Sequence, residues 1–150
     1  EMCQHYGVAI DNISLEITET AMLGDPTLAQ RILSDLRSAG FKIALDDFGT
    51  GYSSLNYLST MPIDEVKIDR SFIIGIDDND KNAKIVKSII GLMEAMSMQV
   101  IAEGIDKHSV SNWLIENSCF VHQGFFYHFP MPANEAKALL THCHEPAELC

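Results

Sequence analysis

Asn12-Ile13-Ser14-Leu15-Glu16-Ile17-Thr18 alternates apolar and polar residues, so a strand through it carries Ile13, Leu15 and Ile17 on one face and Ser14, Glu16 and Thr18 on the other. A parallel strand covered by helices on both faces reads instead as nearly continuous Val, Ile and Leu. The polar face therefore predicts a strand with one side on a barrel lumen, near its mouth. Two later strands agree: Ile43 and Leu45 oppose Ala44 and Asp46, and Val66 and Ile68 oppose Lys67 and Asp69. Glu16, Asp46 and Lys67 are then expected to point the same way.

Helices are predicted between these strands. Asp25 is a candidate N-cap with Pro26 at the first helical position, and Leu28, Ile32, Leu33 and Leu36 form an apolar stripe that stops before Gly40. After strand Lys42 to Asp46 come a short helix near Ser54 to Leu58, strand Glu65 to Ile68 and a long helix around Asn82 to Met96. Strand Gln99 to Glu103, a helix through Val110, Trp113 and Leu114, a short strand about Phe120 to His122 and a last helix around Asn134 to Leu140 complete the series. This alternation predicts an α/β fold with a parallel sheet, and the parity selects a TIM-like (β/α) barrel. A full barrel takes eight strands and about 250 residues, so the chain is read as a partial barrel of about five β/α units. Functional residues of such a barrel sit at the C-terminal ends of its strands, where the polar residues named above fall.

At 150 residues and 47% hydrophobic, the chain suits one globular domain with a real core. No apolar run approaches the ~20 residues of a membrane span, and the N-terminal stretch lacks the pattern of a signal peptide. Cys3, Cys119, Cys143 and Cys150 show no paired spacing, which fits free thiols in a reducing cytoplasm. A net charge of -11 excludes a broad DNA- or RNA-binding or anionic-membrane surface. It is compatible with a phosphate site built on bound divalent cations, which reverse the local potential. The first residue is Glu1 rather than Met, so an internal piece of a longer protein is expected, although processing would also account for it.

The chemistry is expected to centre on acids at strand ends. Asp46-Asp47-Phe48-Gly49-Thr50-Gly51 puts adjacent carboxylates before two glycines that permit a tight loop; the alternative is a turn whose Asp residues cap the next helix. Ser54 stands where a dinucleotide-binding G-x-G-x-x-G would need its last Gly. Glu16 adds a third carboxylate, and hard oxygen ligands select Mg²⁺ or Mn²⁺; a lone strand Glu is otherwise a salt-bridge partner. Lys67 is a cation among acids, suited to holding a phosphoryl oxygen or a water, or else to neutralising those acids without touching substrate. Glu103, in Ile101-Ala102-Glu103-Gly104, is available as ligand or general base.

Leu15-Glu16-Ile17-Thr18-Glu19, the decapeptide from Asp46 to Leu55, Lys67-Ile68-Asp69, Ala102-Glu103-Gly104 and Gln123-Gly124-Phe125 together resemble the successive motifs of EAL-domain cyclic di-GMP phosphodiesterases, from about Ile13 to Pro132. The resemblance implies the C-terminal part of a single EAL domain, with residues 133–150 as last helix and tail. It implies that two Mg²⁺ or Mn²⁺ ions activate a water that opens cyclic di-GMP to linear pGpG. By position, Glu16, Asp46 and Asp47 would ligate metal, and Glu19 would hold the loop from Asp47 to Tyr52. Lys67 would orient water or phosphate, Glu103 would act as general base or hold a metal-bound water, and Gln123 would lie near the metal and its water. Cyclic di-GMP, a second copy of the domain in a homodimer, and upstream GGDEF or sensory domains are the implied partners. The implied localisation is the bacterial cytoplasm, with any membrane anchor upstream.

The Glu-Ala-Leu segment that names the family, with its metal-binding Glu, and an Asn ligand on a following strand do not occur in the chain, and both are expected upstream of Glu1. The 150 residues alone are accordingly expected to fold marginally and to hydrolyse weakly or not at all. An altered upstream segment would leave a catalytically inactive receptor or interaction module. Tyr127-His128-Phe129-Pro130 replaces the usual Ser and basic residue before Pro, and Asp106 replaces a Glu; both bear on guanine contact and loop packing. The substrate-binding side chains are not assigned.

Other signals read as structural. Asp77-Asp78-Asn79-Asp80 lacks the Gly and final Glu of a calcium loop and is read as a helix-capping turn. His142-Cys143-His144 with Cys150 has the wrong spacing for zinc. Met93, Met96, Met98 and Trp113 are expected to fill the core.

Overall fold

A computed structural model describes residues 2–49 and 55–142, without the side chains of Met22, Leu23, Leu55, Asn56, Tyr57 and His142. The loop residues Thr50 to Tyr52, the expected helix start at Ser54, and Cys143, His144 and Cys150 lie outside the described residues. In chain order the elements are α1 (Met2–Tyr6), a 3-10 turn (Ile10–Asn12), β1 (Ser14–Thr18), α2 (Glu19–Gly24), α3 (Pro26–Ser38), β2 (Lys42–Phe48) and α4 (Leu55–Thr60). There follow β3 (Glu65–Ile68), α5 (Arg70–Ile73), α6 (Asp80–Ala95), β4 (Gln99–Glu103), α7 (His108–Glu116), β5 (Val121–Gln123) and α8 (Ala133–His142). No helix among the described residues is long and apolar enough to cross a membrane.

All neighbouring strands are parallel, in the order β1-β2-β3-β4-β5. A doubly wound sheet reverses its order at a switch point, whereas a barrel adds each strand beside the last. The monotonic order is that of a barrel, here a five-stranded part of one.

The two faces of the sheet divide as the alternation predicts. Ile43, Leu45, Val66, Ile68, Val100 and Ala102 are buried against the helices. There they meet Leu33 of α3, Val86, Ile90 and Met93 of α6, and Val110 and Leu114 of α7. Each fully buried Ile or Leu contributes roughly 2 kcal/mol by leaving water. Met96, Met98 and Trp113 pack at the margin of this core, as expected. Cys3 and Cys119 are free thiols, and burial pushes the Cys119 thiol up to about 11, far from a reactive thiolate.

Local signals set the register. Asp25 accepts from Leu28 N at 3.0 Å and Pro26 opens α3. The helix ends with Gly40 N bonded to Arg37 O and Phe41 N to Leu36 O, a Schellman turn with Gly40 at φ +102°. The same paired bonds end α6 and α7, with Ser97 (φ 59°) and Ser118 (φ 67°) in the left-handed position. Three helices thus hand the chain to β2, β4 and β5 through one repeated turn. Asn79 caps α6 by accepting from Lys81 N and Asn82 N, Asp80 lies in the first turn, and Asp77 accepts from Ser109 Oγ at 2.6 Å.

β1 begins at Ser14 rather than Asn12, β5 runs one residue later than expected, and β2 continues to Phe48 instead of stopping at Asp46. α1, α2 and α5, each of at most six residues, had no periodic signal.

Candidate active site

Lys67 is the centre of the inner face. Its side chain is 8% exposed, and its Nζ lies 2.8 Å from Glu16 Oε1, 2.8 Å from Glu103 Oε1 and 3.1 Å from Asp46 Oδ1. Burial by itself would lower the lysine pKa; the close contacts with the carboxylates of Glu103, Glu16 and Asp46 outweigh it and hold the ammonium well above its ordinary value of 10.5. A raised folded-state value stabilises the fold below pH 10.5, and that contribution is lost only as pH rises further. At neutral pH the lysine is charged.

The parity read from the sequence brings Glu16, Asp46 and Lys67 together, and Glu103, read only as a strand-end carboxylate, joins them from a fourth strand. Glu16 sits mid-strand in β1 rather than at its end, and its reach to Lys67 comes from side-chain length. A second polar layer lies below, where Ser14 donates to Glu65 Oε2 at 2.8 Å and Lys42 approaches Glu65 Oε1 at 3.7 Å.

Asp46 and Asp47 owe their position to an irregularity. Leu45 pairs with Val66 but Phe48 pairs with Ile68, so Asp46 and Asp47 together oppose Lys67. Such a bulge re-aims side chains beside functional sites. Asp47 takes the left-handed conformation at φ 56°, which Asp tolerates better than most residues. It is exposed, while Phe48 beyond it is buried.

Asp46 Oδ1 is buried, and its contact with Lys67 is an ion pair without a directed hydrogen bond. An under-satisfied buried carboxylate oxygen among hard donors fits a divalent cation. Among the described residues no three carboxylates enclose an ion unaided, so Glu16, Asp46 and Asp47 fit as part of a ligand set. Glu19 is 3% exposed, and both its carboxylate oxygens lack partners among the described residues. Half of the loop it was expected to hold, Thr50 to Tyr52, lies outside them.

Gln123 pairs in register with Glu103, and both line a cleft of about 420 Å³ over the ends of β4 and β5. Arg70, Asp106, Phe125 and Phe129 form its other walls. Phe125 and Phe129 stack at 4.5 Å and 30° although they are 55% and 67% exposed. Gly104 and Gly124 make room: a Cβ at Gly104 would meet the Arg70 stem at 2.2 Å, and one at Gly124 the Ile105 carbonyl oxygen at 2.1 Å. Arg70 was missed from the sequence although it directly follows Lys67-Ile68-Asp69 at a strand end, the signal that flagged Lys67.

The chain matches the EAL domain family over residues 1–130. It is similar to the cyclic di-GMP phosphodiesterase PdeA of Borreliella burgdorferi, 39% identical over 125 residues that make up 83% of this chain and 19% of PdeA. The crystal structure of the EAL domain of Mycobacterium smegmatis DcpA superposes with a TM-score of 0.89 at 34% identity, covering 94% of this chain and 63% of that one. Klebsiella pneumoniae BlrP1, in a manganese and cyclic di-GMP complex, superposes with a TM-score of 0.77 at 32% identity, covering 82% and 31% of the two chains. This chain spans about a fifth of the length of the curated relatives it matches. With the family match reaching across the sheet and its acidic inner face, the chain belongs to the EAL domain family.

Proposed function

We propose that these residues form the larger part of a divalent-metal site that hydrolyses cyclic di-GMP to linear pGpG. The observation that carries this reading is the convergence of Glu16, Asp46 and Glu103 on Lys67, with Asp46 Oδ1 buried and lacking a directed donor. Relatives named as cyclic di-GMP phosphodiesterases support the substrate. The manganese and calcium complexes of BlrP1 support a divalent ion without deciding between Mg²⁺ and Mn²⁺.

Glu16, Asp46 and Asp47 would hold the metal, completed by ligands from elsewhere in the domain. When bound, such ions lower the pKa of an attacking water and stabilise charge on the phosphodiester oxygens. Lys67, kept charged by its acids, orients a phosphoryl oxygen or the water and adds positive charge where negative charge develops. Glu103, within 2.8 Å of Lys67, is positioned to take the water's proton as general base. Gln123, beside it, orients the water through its amide. Glu19 keeps the loop after Asp47 in place. The exposed Phe125–Phe129 pair, with Arg70 and Asp106 lining the same cleft, suits a planar purine that stacks on an aromatic face and bonds along its edge.

A second reading, a receptor that binds cyclic di-GMP without turnover, is favoured by one observation: the point where the acids converge holds an ammonium group, and no three of the described carboxylates make a cage by themselves. Titration calorimetry with Mn²⁺ on the full natural protein separates the two. The hydrolytic reading predicts saturable Mn²⁺ binding, weakened at least tenfold by Asp46→Asn; absent uptake, or uptake indifferent to Asp46→Asn, contradicts it.

A further inference from the structure

Tyr127, between the cleft-lining Phe125 and Phe129 in sequence, belongs to a polar group that the metal site does not use. His122 Nε2 is 3.0 Å from the Cys119 carbonyl oxygen, which can only accept, so Nε2 carries the proton. In that tautomer Nδ1 is the acceptor, and Tyr127 Oη, 2.6 Å away, donates to it. The Ser111 hydroxyl, 2.9 Å from Tyr127 Oη, donates to that oxygen in turn, a shorter contact than its 3.4 Å approach to His122 Nδ1. One directed chain of bonds therefore links α7, the loop after β5, and β5 itself.

Elsewhere the loop is held by its backbone and by Phe126, which packs against the core and edge-on to His108 at 5.8 Å. Phe126 N bonds Ile105 O at 3.0 Å, and Tyr127 N bonds Gly124 O at 3.1 Å. Tyr127 stands midway between Phe125 and Phe129, and its hydroxyl is the anchor that ties this stretch to Ser111, itself 5% exposed on α7. The ring also packs edge-on against Phe126 at 5.1 Å, so removing the hydroxyl alone leaves that packing in place.

We propose that Ser111, His122 and Tyr127 form a latch that fixes residues 124–130 and thereby sets the spacing of Phe125 and Phe129, making Tyr127 a positioning residue for the purine of the ligand. The proposal rests on the cleft being the cyclic di-GMP site. A loop held in its binding conformation does not have to be ordered when ligand arrives, so loss of the latch weakens binding more than chemistry.

The test measures cyclic di-GMP affinity and steady-state turnover in the full natural protein and in Tyr127→Phe. The expected result is a roughly five- to tenfold loss of affinity, matched in KM, with kcat within about twofold. Ser111→Ala is expected to lose roughly two- to threefold, and the double variant to be no worse than Tyr127→Phe, because both act through one hydroxyl. Unchanged affinity in Tyr127→Phe, a fall in kcat at constant KM, or additive losses would overturn the latch. If the unaltered protein binds no cyclic di-GMP, the substrate-site reading fails first; normal binding there with an indifferent Tyr127→Phe removes the latch alone.

Discussion

Lys67→Met is expected to lower cyclic di-GMP hydrolysis by the full natural protein roughly 10²- to 10³-fold, the scale of losing one preorganised charged donor at a reacting phosphate. The side chain lies within 3.1 Å of carboxylates from three other strands. Without it, and without metal, the partly buried Asp46 and Glu103 and the half-exposed Glu16 face one another with no cation. Removing one partner of such a group costs about 2 kcal/mol, less than in a fully buried group because Glu16 stays half in water. The sign of the pH dependence follows. Protonation removes the uncompensated negative charge, so the penalty is full at neutral pH and is relieved as pH falls. Urea denaturation at pH 7.5 and pH 5 measures it: the stability gap to the unaltered protein should narrow at the lower pH. A gap independent of pH would mean that Lys67 contributes packing rather than charge.

Gly124→Ala is expected to be nearly as severe. A Cβ at this position would lie 2.1 Å from the Ile105 carbonyl oxygen and 2.3 Å from its nitrogen, both backbone atoms. That backbone cannot retreat without lengthening the bonds from Ile105 N to Gln123 O and from Phe126 N to Ile105 O, which join the ends of β4 and β5. Overpacking together with two strained hydrogen bonds amounts to about 3 kcal/mol. The same displacement moves Gln123 and Phe125 in the cleft, so cyclic di-GMP affinity should fall along with stability. Gly91→Ala is the control: nothing lies within 4 Å of a Cβ there, and a helical Gly replaced by Ala gains about 0.5–1 kcal/mol. Equal effects from the two substitutions would remove the close-approach explanation.

These residues also show what was legible in the sequence. Alternation in Ser14–Thr18, Lys42–Asp46 and Glu65–Ile68 fixes which side chains share a face, and this suffices to bring Glu16, Asp46 and Lys67 together. Parity carries no information about a bulge. Asp46-Asp47 read as the end of a strand, whereas β2 runs through both and sets them opposite Lys67 with Asp47 in the left-handed region. The cleft was hidden for a different reason. Its walls come from the turns after β3, β4 and β5, so Arg70, Asp106 and Phe129 meet only when the strand order is known. The tyrosine latch is hidden likewise, because Ser111 and Tyr127 are joined by the packing of α7 beside β5 and by no spacing in the chain.

The acids around Lys67 are proposed to form a metal-dependent site for cyclic di-GMP. This site is tested most directly by following conversion of cyclic di-GMP to linear pGpG by the full natural protein in Mn²⁺, after EDTA, and after Mn²⁺ is restored, with Glu16→Gln in parallel. Turnover that is abolished by EDTA, recovered with Mn²⁺ and reduced at least 10²-fold in Glu16→Gln is the predicted result. Turnover that survives EDTA, or that Glu16→Gln leaves intact, would contradict it.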